Sequence, residues 1–253
     1  MKFNAGRAQV TVNTPDRAGL WHEIEARFSA RRGFALATLN LDHLVKLRSS
    51  PEFAAAYAAQ DIVVADGNPI VWLSRLAGQP VELMPGSELV IPLARKAAEA
   101  GIGVALLGST QSALEAAAEH LQDQIEGLEI TGKISPPFGF DPEGDDAATL
   151  LAQVQTSGAG LCFLALGAPK QEILAARGRD IAPNVGFASI GAGLDFLAGT
   201  QKRAPAWARR FALEWAWRLL SNPRRLFMRY LHCVLILPGH TLRALGQRLR
   251  GRT

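Results

Sequence analysis

With 253 residues, 48% apolar and 24 glycines, the chain can bury one full α/β core and carry an appendage, and it is too apolar for a disordered or fibrous protein. Its formal charge of +4 hides an asymmetry: residues 201–253 hold 12 of the 27 Lys and Arg but only one of the 23 acidic residues, Glu214, leaving 15 basic against 22 acidic before them. The body is therefore about −7 and the tail about +11, and such a tail suits anionic lipid, a diphosphate or nucleic acid. The start lacks a signal peptide's apolar core, and no stretch reaches the eighteen or so apolar residues of a membrane span, so a cytoplasmic chain is expected. Cys162 and Cys233 sit in apolar contexts and read as buried free thiols.

Ala8 to Val12 alternates like a strand, and Asp16 precedes Leu20, Trp21, Ile24 and Phe28 at helical spacing. Phe34 to Leu39 is the next strand, and its exit carries Thr38, Asn40, Asp42 and His43, where ligands bind in open parallel sheets. Pro51 opens an Ala-rich helix, and Asp61 to Ala65 is a short buried strand that ends at Asp66-Gly67-Asn68-Pro69. Two readings of Asp66 stand side by side: a cap for the helix begun at Pro69, or a general base at the crevice rim.

Ser87 to Ala100 is helical, and Ile102 to Gly108 is a strand running into a glycine turn, either a phosphate cradle or a plain βα turn. Leu128 to Ile134 is a further strand, followed by a loop in which Gly139 separates Phe138 from Phe140. That pair suits stacking on a planar base or plugging a core. A helix from about Asp145 leads into Leu161 to Glu172, an apolar run that turns through Gly167 and Pro169 into a helix. This corner presents backbone N–H groups with Lys170, Gln171 and Glu172 at the sheet edge. The last strand, Val185 to Ile190, leads to Asp195, which either holds a ligand hydroxyl or base edge or fixes a turn.

Beyond residue 200 the chain changes character. Trp207, Phe211, Trp215 and Leu219 repeat at i, i+4 beside Arg210 and Arg218, one aromatic helix that ends before Pro223. Arg224, Arg225, Arg229 and Tyr230 follow, then Leu231 to Leu237, and Leu242, Leu245 and Leu249 among further arginines up to Arg252. These segments read as interfacial amphipathic helices, or for the first of them as a helix packed on the body.

Together these motifs resemble the WecG/TagA/CpsF glycosyltransferase family, sugar-nucleotide enzymes of bacterial surface-polysaccharide assembly. The ordered set runs from Thr38-Leu-Asn40 through Ala65-Asp66-Gly67, Val71-Trp72 with Arg75, Gly86-Ser-Glu-Leu89 and Leu107-Gly108. It continues through Gly167-Ala-Pro-Lys-Gln-Glu172 and Gly191-Ala-Gly-Leu-Asp195, then Arg203-Ala-Pro-x-Trp207, Glu214-Trp-x-x-Arg218 and Pro223-Arg-Arg225 with Arg229-Tyr230. The resemblance implies a Rossmann-like, mostly parallel sheet flanked by helices at residues 1–200, with a basic amphipathic helical appendage at 201–253 that binds membrane and completes the site.

The implied activity is an inverting transfer of a hexose or N-acetylhexosamine-type sugar from a UDP-sugar to a polyprenyl-diphosphate-linked acceptor, on the inner face of the cell membrane. By this resemblance Asp66 is the base, with Thr38 and Asn40 beside it. Gly108, Phe138, Gly139, Phe140, Gln171, Glu172 and Asp195 surround the nucleotide, and Arg218, Arg224, Arg225 and Arg229 close over the diphosphate. The chain has no D-x-D pair, so neither a metal nor another cofactor is expected, and arginine takes the metal's place. One position departs from the family: where it often has an Arg before Gly-x-[DE]-Leu, this chain has Leu83, which leaves the donor sugar open.

A nucleotide-sugar-binding regulatory protein without catalysis is the rival reading. Nucleic acid is not an expected partner, because the basic charge lies beside long Leu and Val runs that suit lipid better. An NAD enzyme is disfavoured, because Gly191-x-Gly193 lacks the third Gly and follows a late strand. Off the membrane, the tail's apolar face favours self-association.

Overall fold

The computed structural model describes residues 1–250; Arg252 lies outside them. An antiparallel hairpin of β1 (Lys2–Ala5) and β2 (Ala8–Thr11), turned at Gly6, precedes α1 (Arg17–Ser29) and β3 (Phe34–Leu39). Then come α2 (Leu41–Lys46), α3 (Pro51–Ala58), β4 (Ile62–Ala65), α4 (Asn68–Leu76), α5 (Gly86–Glu99), β5 (Gly103–Gly108) and α6 (Gln111–Gln124). The body closes with β6 (Ile130–Ile134), α7 (Asp145–Thr156), β7 (Ala159–Ala165), α8 (Lys170–Ile181), β8 (Gly186–Ser189) and α9 (Gly193–Leu197). The tail holds α10 (Ala206–Arg210), α11 (Glu214–Ser221) and α12 (Pro223–Arg250).

Strands β3 to β8 form one parallel six-stranded sheet in the order β4-β3-β8-β7-β5-β6, the α/β architecture expected. Every residue of β3, β4 and β5 is buried, because helices cover both faces of a parallel sheet and its strands lose the apolar/polar alternation. The period of two remains in where the side chains go. Phe34 and Leu36 join Leu161 and Phe163 under α1, α5, α6 and α9, while Ala35, Cys162, Leu164 and Phe187 face α7 and α8. Ala37, Leu39, Val63 and Ala65 pack under α2, α3, α4 and the hairpin. Cys162 and Cys233 are both free and buried. Because all six strands run the same way, their exits line one edge.

The tail departs from the expected continuous aromatic helix. Ala212 takes a left-handed conformation, φ 58°, and Leu213 N donates to Ala208 O at 2.7 Å, which ends α10 and turns the chain before α11. The aromatic stripe is split, and Trp207, Phe211 and Trp215 are 56%, 68% and 50% exposed, so this segment is not packed on the body through that face. After Pro223, α12 runs as a single helix through Pro238.

Helix α12 is docked along one stripe. Ile236 and Ala244 belong to the same apolar cluster as Leu39 and Leu73, Arg229 pairs with Asp42 of α2 at 3.1 Å, and Arg243 and Gln247 donate to the hairpin carbonyls of Asn4 and Lys2. Its other face, with Phe227, Leu235, Leu242 and Leu249, is open. Among the described residues no helix is long and apolar enough to cross a membrane.

Candidate active site

Asp66 follows β4 directly and is held by the strand beside it, its N–H donating to Leu39 O at 2.7 Å. It does not cap α4. The residue at that cap is Gly67, with no side-chain cap bond, at φ 106°, a conformation that glycine adopts without a Cβ penalty. The Asp66 carboxylate instead accepts from the Asn40 side chain, whose Oδ1 in turn caps α2 by accepting from His43 N at 3.0 Å. One residue thus starts a helix and orients the carboxylate.

Half-buried at the exit of β4, Asp66 is pushed up to about 7, first by desolvation. Arg218 pulls it down, Glu214 pushes it up, and the Asn40 bond and Arg229 pull it down. Two tail helices therefore tune a body carboxylate. Thr38 lies 3% exposed behind it, its hydroxyl 3.5 Å from Ser189 O, and a Cβ on Gly86 would stand 3.2 Å from that hydroxyl.

Gln171 and Glu172, expected at the nucleotide, are turned inward. Gln171 is 2% exposed; its Oε1 accepts from Gly191 N at 3.1 Å and its Nε2 donates to Glu172 Oε1 at 2.8 Å. Glu172 has no exposed surface, and burial lifts its carboxyl to about 7. Beside it His43 Nδ1 shares a 2.6 Å bond with Tyr57 Oη, and desolvation first of all lowers the imidazole to about 3, so it is neutral. This buried group of His43, Tyr57, Gln171 and Glu172 forms a wall that fixes the Gly191 turn. Its side chains come from α2, α3 and α8, which chain spacing does not bring together.

The glycine turn after β5 is required by its neighbour. Gly108 has φ 113°, and a Cβ there would lie 2.5 Å from Ala165 O of β7. The following Ser109 donates to Asp195, whose other oxygen accepts from Gln201 Nε2 at 2.8 Å. Asp195 therefore holds the β5 turn and the start of the tail. The Phe138-Gly139-Phe140 loop divides the two readings: Phe140 plugs the core at 5% exposure, whereas Phe138 projects fully into solvent and Gly139 makes the turn at φ 79°.

Of the four tail arginines, two are brought to the site. Arg218 pairs with Glu214 at 2.8 Å and lies over the Phe196 ring, and Arg229 pairs with Asp42. Arg224 and Arg225 are exposed on the first turn of α12. Beside the end of β4 a cleft of about 690 Å³ is lined by Leu83, Arg17, Asn68, Trp72 and Arg75. Leu83 sits in parallel register with Ala65, and its carbonyl accepts from Arg17 Nη2 at 3.3 Å. A guanidinium from α1 thus reaches the wall where the sequence offers leucine. Arg17 and Tyr57 were not legible as site residues, because nothing local marks them; His43 at the β3 exit and Glu214 in the tail motif were in view, but not the buried His43–Tyr57 pair or the action of Glu214 on Asp66.

A strand-exit carboxylate held near neutrality and faced by arginines from a C-terminal appendage agrees with what comparison finds. The family model for glycosyl transferases of the WecG/TagA/CpsF family matches residues 7–253. A curated relative, the N-acetylglucosaminyldiphosphoundecaprenol N-acetyl-beta-D-mannosaminyltransferase of Bacillus spizizenii, is 28% identical over 195 residues, covering 77% of this chain and 74% of the relative. The match takes in both the sheet that places Asp66 and the tail that places Arg218 and Arg229, and the chain belongs to the WecG/TagA/CpsF family of glycosyltransferases.

Proposed function

We propose that the protein transfers a hexose or N-acetylhexosamine-type sugar from a UDP-sugar to a polyprenyl-diphosphate-linked sugar, with inversion, in bacterial surface or exopolysaccharide synthesis. The observation that carries this reading is Asp66, a carboxylate at about 7 that is bonded by Asn40 and acted on by Arg218 and Arg229. A group poised there takes a proton from an attacking hydroxyl efficiently near neutral pH. The acceptor oxygen then attacks the anomeric carbon, the bond from that carbon to the diphosphate oxygen breaks, and UDP leaves with the electron pair. Arg218 and Arg229 offset the charge that develops on the departing diphosphate, the task that needs fixed positive charge aimed at the leaving group and that here needs no metal.

The class of acceptor in this reading follows the relative, which is named for a diphosphate-linked N-acetylglucosamine on a polyprenyl chain. The tail supports a place on the inner membrane face. The open face of α12 sets Leu231, Leu235, Leu242, Leu245 and Leu249 in a row flanked by exposed arginines, the pattern of a helix lying at headgroup level. Anchoring through that face leaves Arg218 and Arg229 to complete the site from its other side. In the absence of lipid the same face favours self-association.

The test is UDP release from a panel of UDP-sugars, in detergent and EDTA, with and without a polyprenyl-diphosphate-linked N-acetylglucosamine. Release that depends on the acceptor, with one donor and in EDTA, is the expected result and names the sugar. Donor binding without release on any acceptor of this class would turn the reading toward regulation by nucleotide-sugar.

A further inference from the structure

Strand β4, which carries Asp66, is the edge of the sheet, and β5 with its Gly108 turn lies four strand spacings away, about 19 Å. The glycine turn, Ser109 and Asp195 therefore stand to one side of Asp66. On the other side, past the sheet edge, lies the cleft of about 690 Å³ between α4, residues 80–83 and the start of α1. If a nucleotide occupies the first side, the attacking molecule has to approach from the second.

The cleft wall offers a distinct chemistry. Trp72 and Arg75 stand three residues apart on α4 and share a face. The indole is 48% exposed, and among the described residues it stacks on no other ring and Arg75 makes no side-chain hydrogen bond or ion pair. Arg17 adds a second guanidinium across the cleft, 4.0 Å from Glu88, which itself pairs more closely with Arg203 at 2.6 Å. The carboxylates nearby are already engaged by backbone: Asp16 accepts from Gly19 N at 2.7 Å and Glu82 from Arg17 N at 3.0 Å. The cleft thus holds two guanidiniums beside two carboxylates that are tied to backbone N–H groups, and its open aromatic face with the unpaired Arg75 guanidinium suits a sugar ring bearing phosphate.

The order along α4 is informative. From Asn68, two residues after Asp66, Trp72 is about 6 Å and Arg75 about 10 Å along the helix. Resting on that line, a ligand has one end at Asn68, two residues from Asp66, its ring on the indole and its anionic end at Arg75. A lipid-diphosphate-linked sugar has its groups in that order, with the reacting hydroxyl on the ring and the diphosphate on the far side of it.

We propose that this cleft is the acceptor subsite, in which the sugar ring stacks on Trp72, the diphosphate pairs with Arg75 and Arg17, and the nucleophilic hydroxyl is delivered to Asp66. The assignment rests on the transferase reading above. It makes Trp72 and Arg75 binding residues for one substrate only.

The experiment uses the full chain in detergent and three probes: farnesyl-diphosphate-linked N-acetylglucosamine, farnesyl diphosphate without the sugar, and the UDP-sugar donor. Binding of each is measured by calorimetry, and acceptor and donor KM by UDP release, for wild type, Trp72→Ala and Arg75→Ala; both positions are exposed, so melting temperatures should match. Arg75→Ala should weaken both farnesyl probes by roughly 10- to 100-fold and Trp72→Ala only the sugar-bearing one, by roughly tenfold, while donor affinity stays unchanged. Unchanged acceptor binding and KM in both variants, in an enzyme that still transfers sugar, would overturn the subsite and leave the transferase reading standing. Loss of donor affinity instead would assign the cleft to the UDP-sugar, and a wild type that binds no farnesyl probe would also overturn it. A wild type that binds the acceptor probe through both residues, yet releases no UDP from any donor, would keep the subsite and overturn the transfer.

Discussion

Strands β3 and β4 spend every side chain on the core, whereas the tail keeps much of its apolar surface in reserve: apart from Trp72 and Phe138, the large exposed apolar side chains of the described residues all lie between Trp207 and Leu249. In the body, hydrophobic burial is consumed in building a sheet edge rigid enough to hold Asp66 against Asn40. In the tail, the same residue types remain available for a partner. The contrast runs through α12 itself, where Ile236 is 9% exposed in the cluster with Leu73 and its neighbour Leu235 is 66% exposed. The tail is therefore part of the folded unit on one face and a free surface on the other. This matters for how it is tested: deleting residues after 200 strips the cover from α4 and the hairpin as well as any membrane contact.

The largest effect is expected where the two regions meet. Asp66→Asn keeps the shape and the tail but removes the proposed base, so turnover should fall by roughly a hundredfold or more while UDP binding and vesicle binding stay near wild type. Turnover close to wild type, measured as UDP release, would remove Asp66 from the chemistry. Next come the two faces of α12. Ile236→Ala should cost about 2 kcal/mol in chemical denaturation, the scale for truncating a buried aliphatic side chain. Leu235→Ser should leave stability alone and weaken partition onto anionic vesicles by roughly tenfold. Equal effects of the two substitutions on vesicle binding would erase the distinction between docked and open faces.

The tail's influence on the base gives a smaller, signed effect. Asp66 must be deprotonated to act, so kcat/KM should rise with pH and level off above about 7. Arg218 lowers the carboxyl from what burial alone imposes. Arg218→Ala should therefore move the acidic limb of the profile to higher pH as well as slow transfer. A slower enzyme with an unmoved limb would confine Arg218 to the leaving group.

The parallel sheet was legible because apolar runs such as Phe34–Leu39 and Asp61–Ala65 alternate with helical spacing, and strand exits carry polar residues whatever the helices do. The places of Asp66, Asn40 and Thr38 at neighbouring strand ends were readable for that reason. The helix break at Ala212 was not, since an i, i+4 aromatic repeat continues across it and only the left-handed backbone of one alanine interrupts the helix. The hairpin's first strand and α2 were missed because each is short, 4 and 6 residues, and stabilised by tertiary contacts more than by its own pattern. Gln171 and Glu172 carried the strongest polar signal at the β7–α8 corner, yet they are buried, bonded to each other and to the Gly191 turn. Polarity in a sequence does not say which side of a wall a residue faces.

That wall supplies the last prediction, which concerns stability and not transfer. Burial raises the Glu172 carboxyl from its ordinary 4.5 to about 7, so between those values the folded protein binds a proton that the unfolded chain has released. The group's favourable contribution is complete below pH 4.5 and is lost as pH rises through about 7, where a charge must be carried with no exposed surface. Glu172→Gln imitates the protonated carboxyl and keeps Oε1 as the acceptor for Gln171 Nε2. Its melting temperature should lie close to wild type near pH 4.5 and exceed it by several degrees at pH 8. Asp66 carries a similarly raised carboxyl, so it contributes the same sign of pH dependence, and it remains in the variant. Melting curves for wild type and Glu172→Gln that stay parallel from pH 4.5 to 8 would assign the body's pH response to Asp66 alone and leave Glu172 charged but compensated inside the wall.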